Sequence, residues 1–216
     1  IIEDILDFSK IESGKLEIDK IDFNDLKKIK LLGGEPSIME EAVEVINSVK
    51  EGTEIMVTSN MFTISKAFEK AIDECKGKVR MNISLDATGK TYNYIRVNSN
   101  WDRVEDNILR FKQKPNVELA INPVAMLWNA FNIPELIEWA DTHDIEVASF
   151  HHVGQQWLRL SLLYPEHRAD LVGLHPFLDQ HTRKRALDSV YKNIQEGKQG
   201  TQDPEILRKA IEAKKL

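Results

Sequence analysis

Between residues 26 and 153 the apolar positions switch back and forth between two periods. The runs LKKIKLL, TEIMVTSN, KVRMNISLDATG, NVELAINPV and IEVASFHHV are short, rich in Ile, Val and Leu, and bounded by turn residues, the pattern of buried strands. Between them, SIMEEAVEVINSVK, MFTISKAFEKAIDECK, WDRVEDNILRFKQ and IPELIEWADTH space their apolar residues along one helical face. Ser37 is placed to cap the first of these helices, with Glu40 as its capping-box partner. Pro134 stands in the first turn of the last one, where no N–H is needed. Strands separated by whole helices cannot be joined as hairpins; they require right-handed crossovers into a parallel sheet. The pattern therefore predicts an α/β fold. It leaves two architectures open, an open doubly wound sheet and a complete or partial (β/α) barrel.

The flanking segments read differently. IIEDILDFSKIESGK repeats apolar residues at Ile1, Ile5, Phe8 and Ile11, one stripe of a helix that Gly14 would stop, and the polar stretch LEIDKIDFND follows. Beyond Val153 the pattern is helical over 155–163, 165–173, 176–196 and 204–214, with Pro165, Pro176 and Pro204 at helix starts. The expected division is an N-terminal helix and linker over 1–22, a parallel-stranded core over 23–153 and a helical C-terminal region over 154–216.

Charge narrows the partners. The formal net charge is -6, which argues against nucleic acid or an anionic membrane as the main partner. The basic run at Arg183, Lys184 and Arg185 reads as a solvated helix face. No stretch of about 18 apolar residues is present to span a membrane, and the N-terminus lacks the features of a signal peptide. The chain does not open on Met, so a fragment is the expectation. One cysteine, Cys75, excludes an internal disulfide and fits a reducing, cytoplasmic setting.

In both candidate architectures ligands bind at the C-terminal strand ends. The first strand ends in Gly33-Gly34-Glu35-Pro36, where two glycines allow close backbone approach and Glu35 offers a carboxylate to a ligand ammonium group. The second ends in Thr58-Ser59-Asn60, the third in Ser84-Leu85-Asp86 with Arg96 ten residues on, and the fourth near Asn122. Polar side chains at four successive strand ends have the distribution of a ligand-binding mouth for a small molecule. His151 and His152 are adjacent on a strand and point to opposite faces, so they do not form one metal site. Trp128, Trp139 and Trp157 are expected in the core, and Trp101 beside the Arg96 loop.

Taken together, LKKIKLLGGEP, a strand ending TSN, NISLDATGKTYNYIR and WDRVEDNI resemble the radical S-adenosylmethionine superfamily over residues 20–150. The similar branch carries a shortened "twitch" accessory region after a partial (β/α) barrel. The resemblance implies that Gly33, Gly34, Glu35 and Pro36 bind the amino group of S-adenosylmethionine, and that Ser59, Asn60, Ser84, Asp86, Arg96 and Asn122 line its site. It also implies a 4Fe–4S cluster, held in intact relatives by a Cys-x-x-x-Cys-x-x-Cys loop after the first barrel strand, that cleaves S-adenosylmethionine to a 5′-deoxyadenosyl radical. Here the cluster ligands are absent, since a cluster needs several thiolates and Cys75 lies on a helix. The expected function is thus a truncated radical S-adenosylmethionine domain, inactive as it stands, whose relatives act on peptides or small metabolites.

Upstream, LDFSKIESGKLE resembles the end of the second dimerisation helix of sensor histidine kinases. The alternative function is accordingly a non-enzymatic scaffold, homodimeric through the stripe Ile1, Ile5, Phe8 and Ile11. An unrelated barrel enzyme using Asp86, Asp141 or His151 as acid–base groups ranks last, for want of a carboxylate pair. A barrel lacking its first strand would expose one edge of the GGEP strand. The N-terminal helix or residues 15–25 are expected to lie near that edge.

Overall fold

Alternation along the strands decides which side chains are buried. In the computed structural model, which describes residues 3–7, 26–148, 151–152 and 158, the elements run β1 (Glu3–Asp7), β2 (Lys28–Leu32), α1 (Glu40–Ser48), β3 (Glu54–Ser59), α2 (Lys66–Glu74), β4 (Lys78–Ile83), α3 (Gly89–Ile95), α4 (Trp101–Lys112), β5 (Val117–Ile121), β6 (Val124–Ala125), α5 (Ile133–Thr142), β7 (Glu146–Val147) and β8 (His151–His152). The chain divides into two units, Ile1–Ser84 with Asp102–Ala120, and Leu85–Trp101 with Ile121–Leu216.

In the first unit the strands lie in the order β1-β2-β3-β4-β5, and β1 through β4 pair in parallel. Their register aligns Ile29 with Ile55 and Val79, and Leu31 with Val57 and Met81; all six are buried. The opposite face aligns Lys28 with Glu54, joined by an ion pair at 3.1 Å. Ala42, Val45 and Ile46 of α1, Phe68, Ala71 and Ile72 of α2, and Val104, Ile108 and Phe111 of α4 complete the core. The parallel α/β reading holds, and the helices fall where the period of three and four placed them.

Three details differ from the sequence reading. Glu3–Asp7 is a strand, not part of a helix, and it pairs with β2 from Glu3↔Lys28 to Asp7↔Leu32. The unpaired N–H and C=O groups of a sheet edge outweigh a weak local helical period. The edge of β2 is thus covered by a strand rather than by a helix. Over these residues the proposed dimerising stripe is not formed; residues 8–25, including the stretch 15–25, lie outside the described part. Second, Ser37 does not cap α1, which begins at Glu40 behind Met39 with no side-chain cap. Instead, Pro36–Ile38 form a short 3-10 turn in which Ser37 is buried. Third, TYNYI, left without an element in the sequence reading, is the helix α3, whose one buried residue is Tyr92. A seven-residue helix with one apolar anchor leaves almost no periodic signal.

In the second unit β6 pairs in parallel with β8, and the end of β5 is extended by Ala148, whose N–H donates to the Ile121 carbonyl at 3.0 Å. The last predicted strand is thus two short ones, β7 and β8. The helical segments expected beyond 154 lie outside the described residues, Leu158 excepted.

Ile55 sits fully buried in the middle of the β2–β4 layer. Replacing it with Ala is expected to lower stability by about 2–5 kcal/mol, read as a lower urea midpoint with unchanged slope.

Candidate functional site

Parallel strands put all their C-terminal ends on one side, and β2 and β3 end there in groups that grip each other. Gly33 and Gly34 have φ of 80° and 57°, left-handed values that a side chain would strain. Both glycines are exposed. Directly after them the chain is locked. Glu35 turns its half-buried carboxylate back onto its own chain. Oε1 accepts from the Ser37 hydroxyl at 2.6 Å, the Ser59 hydroxyl at 2.6 Å and the Ser37 N–H at 3.4 Å, and Oε2 accepts from the Asn60 N–H at 2.9 Å. Ser37 Oγ also lies 2.8 Å from the Thr63 carbonyl, so its one proton is shared between two acceptors. Ser59 Oγ accepts in turn from the Met61 N–H at 3.0 Å, and Asn60 Oδ1 from the Phe62 N–H at 2.9 Å. Met61, buried at φ 58°, is held through its carbonyl by Asn107 Nδ2 at 2.7 Å.

The sequence offered Glu35 as a carboxylate open to a ligand ammonium. In the structure both of its oxygens are already committed to neutral donors of the protein. The groups turned outward at this strand end are the exposed Gly33 and Gly34. Pro36, fixed in φ, is buried at the start of the 3-10 turn and anchors the other side. Gly33, Gly34, Glu35, Pro36, Ser59 and Asn60 are thus brought together. Ser84 belongs to the same unit and donates its N–H to the Ser59 carbonyl at 3.0 Å.

The second unit has a knot of its own. Asp86 is 3 % exposed. Its Oδ2 accepts from Arg96 Nε at 3.1 Å and Nη2 at 2.6 Å, and its Oδ1 accepts from the Val124 N–H at 2.9 Å. Behind it, the fully buried Asn129 donates to the Asp86 and Val124 carbonyls at 2.6 and 2.8 Å and accepts from the Met126 N–H at 2.8 Å. Sequence reasoning missed Asn129, because a single Asn in MLWNAF gives no periodic or motif signal. Arg96, a third exposed, is aimed by Asp86 and keeps guanidinium surface toward solvent. With its oxygens so engaged, Asp86 positions Arg96. Asn122 lies in the β5–β6 link, half-exposed. Trp128 and Trp139 are half-buried rather than core residues, because each lies at a helix or turn surface and packs edge-on against another ring. Trp101 packs on Tyr92 and Trp139.

A cluster of iron and sulfide does not fit this chain. Cys75 follows α2 and precedes β4, so it lies at the N-terminal ends of the strands, opposite Ser59. Burial pushes its thiol pKa up, against a smaller lowering by the Gly77 backbone, whereas a metal ligand must be a thiolate. Among the described residues no three His, Cys, Asp or Glu side chains converge as a metal site. No described helix is long and apolar enough to cross a membrane.

The family profile described as the Radical SAM superfamily matches residues 6–140. The chain belongs to that superfamily, whose members bind S-adenosylmethionine and a 4Fe–4S cluster. It is 30% identical to a GTP 3',8-cyclase of Nitrobacter hamburgensis over 71% of this chain and 48% of the relative. It is also 30% identical to a probable GTP 3',8-cyclase of Methanocaldococcus jannaschii, over 53% and 39%. The chain thus spans about half, or less, of the curated relatives it matches. Among solved structures, Streptococcus suis SuiB bound to S-adenosylmethionine aligns with a TM-score of 0.51 and 18% identity, over 69% of this chain and 35% of SuiB. The protein anSMEcpe, with bound AdoMet and a Cp18Cys peptide, aligns with a TM-score of 0.51 and 17% identity, over 74% and 48%. These structural likenesses concern the fold.

Asn129 satisfies three buried backbone groups at once. Asn129→Ala is expected to leave them unpaired and cost at least about 2 kcal/mol, measured as a fall in the urea unfolding midpoint. A change below about 0.5 kcal/mol would mean that the Asp86 knot holds without it.

Proposed function

We propose that this chain is the S-adenosylmethionine-binding part of a radical S-adenosylmethionine enzyme and that, by itself, it binds that cofactor without cleaving it. The observation that carries the reading is the Glu35 knot, which fixes two left-handed glycines at a strand end inside a region matched by the family profile. Carbonyl oxygens of Gly33 and Gly34 suit an ammonium group, because they are acceptors and no Cβ obstructs the approach. Arg96, which belongs to the second unit, is assigned to the cofactor by the family resemblance alone, as a guanidinium suited to a carboxylate. Ser59, Asn60, Ser84 and Asn122 are the remaining polar groups assigned to the cofactor. When bound beside a cluster, S-adenosylmethionine supplies a carbon radical that abstracts hydrogen. One cysteine gives this chain no means to hold that cluster.

The substrate is read from the relatives. The matched sequences are named for a GTP cyclisation and the structural neighbours for peptides. The higher identity lies with the cyclases, which favours a nucleotide over a peptide as the substrate class of the whole enzyme.

Isothermal titration is expected to show saturable S-adenosylmethionine binding to the wild-type chain. Arg96→Ala should weaken it about tenfold or more, by loss of a charged hydrogen bond, and Glu35→Ala should abolish it by freeing the glycine turn. No heat with the correctly folded wild-type chain would refute the proposal. Anaerobic reconstitution with iron and sulfide is expected to leave the chain colourless, with iron well below one equivalent. A stoichiometric 4Fe–4S absorption would show that ligands other than cysteine suffice.

A further inference from the structure

The second unit contains a cavity that none of the strand-end residues assigned to the cofactor lines. It measures about 290 Å³ and is lined by Thr88, Gly89, Trp101, Glu135, Glu138, Trp139, Thr142 and His143. Four of these, Glu135, Glu138, Trp139 and Thr142, recur at three- and four-residue steps along α5 and so share one side of that helix. Its other side is buried through Ile133, Leu136, Ile137 and Ala140. The cavity wall is aromatic. Trp101 and Trp139 meet edge to face with ring centroids 5.3 Å apart, and the His143 ring lies 4.9 Å from Trp139.

The wall carries two carboxylates, Glu135 and Glu138, beside the Thr88 and Thr142 hydroxyls and the His143 ring. Glu135 is held in place, with Thr88 Oγ1 donating to Oε1 at 2.7 Å and Asn132 Nδ2 donating to Oε2 at 2.9 Å. Both donors are neutral, so they orient the carboxylate without cancelling its charge. Glu135 and Glu138, one turn apart, are both exposed. Among the described residues neither Glu135 nor Glu138 forms an ion pair. An open cavity walled by aromatic rings, with a preset carboxylate at its surface, is complementary to a cation that carries an apolar stem. The ring quadrupole attracts the charge, the carboxylates pair with it, and the rings cover the stem. The volume is at the small end of ligand sites, which suits one side chain and excludes a nucleotide.

We propose that this cavity binds a guanidinium or alkylammonium group on a side-chain-sized stem. Glu135, oriented by Thr88 and Asn132, supplies a fixed charge, Glu138 a second charge, and Trp101 with Trp139 the wall.

The test is calorimetric titration of the chain with N-acetyl-arginine methylamide, agmatine and the neutral isostere N-acetyl-citrulline methylamide. Saturable binding of either cation with a Kd of about 1 mM or tighter is expected, with none for the citrulline compound. Binding of the blocked arginine identifies a peptide side chain as the guest, and binding of agmatine alone a free amine. Glu138 makes no hydrogen bond that the fold needs, so Glu138→Gln tests charge without disturbing structure; it should weaken binding about fivefold. Trp139→Leu should weaken it further while S-adenosylmethionine binding stays unchanged. The proposal is overturned if neither cation binds by about 10 mM, if citrulline binds equally, or if both variants bind like the wild type.

Discussion

One carboxylate organises the strand ends of the first unit. Glu35 collects the hydroxyls of Ser37 and Ser59 and the N–H of Asn60, and so ties the end of β2, the 3-10 turn and the exit of β3 into one piece. Hydrogen bonds to an ionised acceptor are roughly twice as strong as neutral ones, and here several converge on a single half-buried group. The constraint matters because of what precedes it. Two successive glycines in the left-handed region form an intrinsically loose turn, and loose turns present their carbonyls in many directions. Anchoring the next two residues, one by its carboxylate and one by a buried pyrrolidine ring, leaves the glycine backbone few choices.

The Asp86 knot repeats this logic with different parts. A nearly buried carboxylate aims an arginine on one oxygen and fixes the backbone of Val124 on the other. Asn129 then satisfies the carbonyls that this bend leaves over. In each knot an acidic side chain serves the protein's own backbone first. The groups thereby positioned are the glycine backbone in one case and the Arg96 guanidinium in the other. Acidic residues at strand ends are therefore poor guides to direct contact with a ligand, even where they are essential to its site.

This explains how much was legible in the sequence. The strand–helix alternation was, because Ile29, Ile55, Val79 and their neighbours must all face one layer, and that requirement writes a period into the chain. The positions Gly33 to Pro36, Ser59 and Asn60 were also legible through their place at strand ends, and Arg96 through its spacing from Asp86. The direction of the Glu35 carboxylate was not, since it depends on Ser59 and Asn60, more than twenty residues away. Asn129 was invisible because its distant partner is Asp86, and its near partners, Val124 and Met126, leave no local pattern that marks it. Glu3–Asp7 misled because a stripe at four, three and three residues is weak evidence against an unfilled sheet edge, which only the folded strand order reveals.

The knots also separate two properties that travel together in this superfamily. Their side chains are carboxylates, amides, hydroxyls and one guanidinium, and no thiolate takes part in either. The geometry that presents Gly33, Gly34 and Arg96 therefore owes nothing to an iron–sulfur cluster. Cys75 stands at the other ends of the strands with its thiol pKa raised by burial, the opposite of what ligation needs. Binding geometry and electron supply have independent structural causes. The buried layer and the hydrogen bonds of the two knots are formed by the chain's own residues.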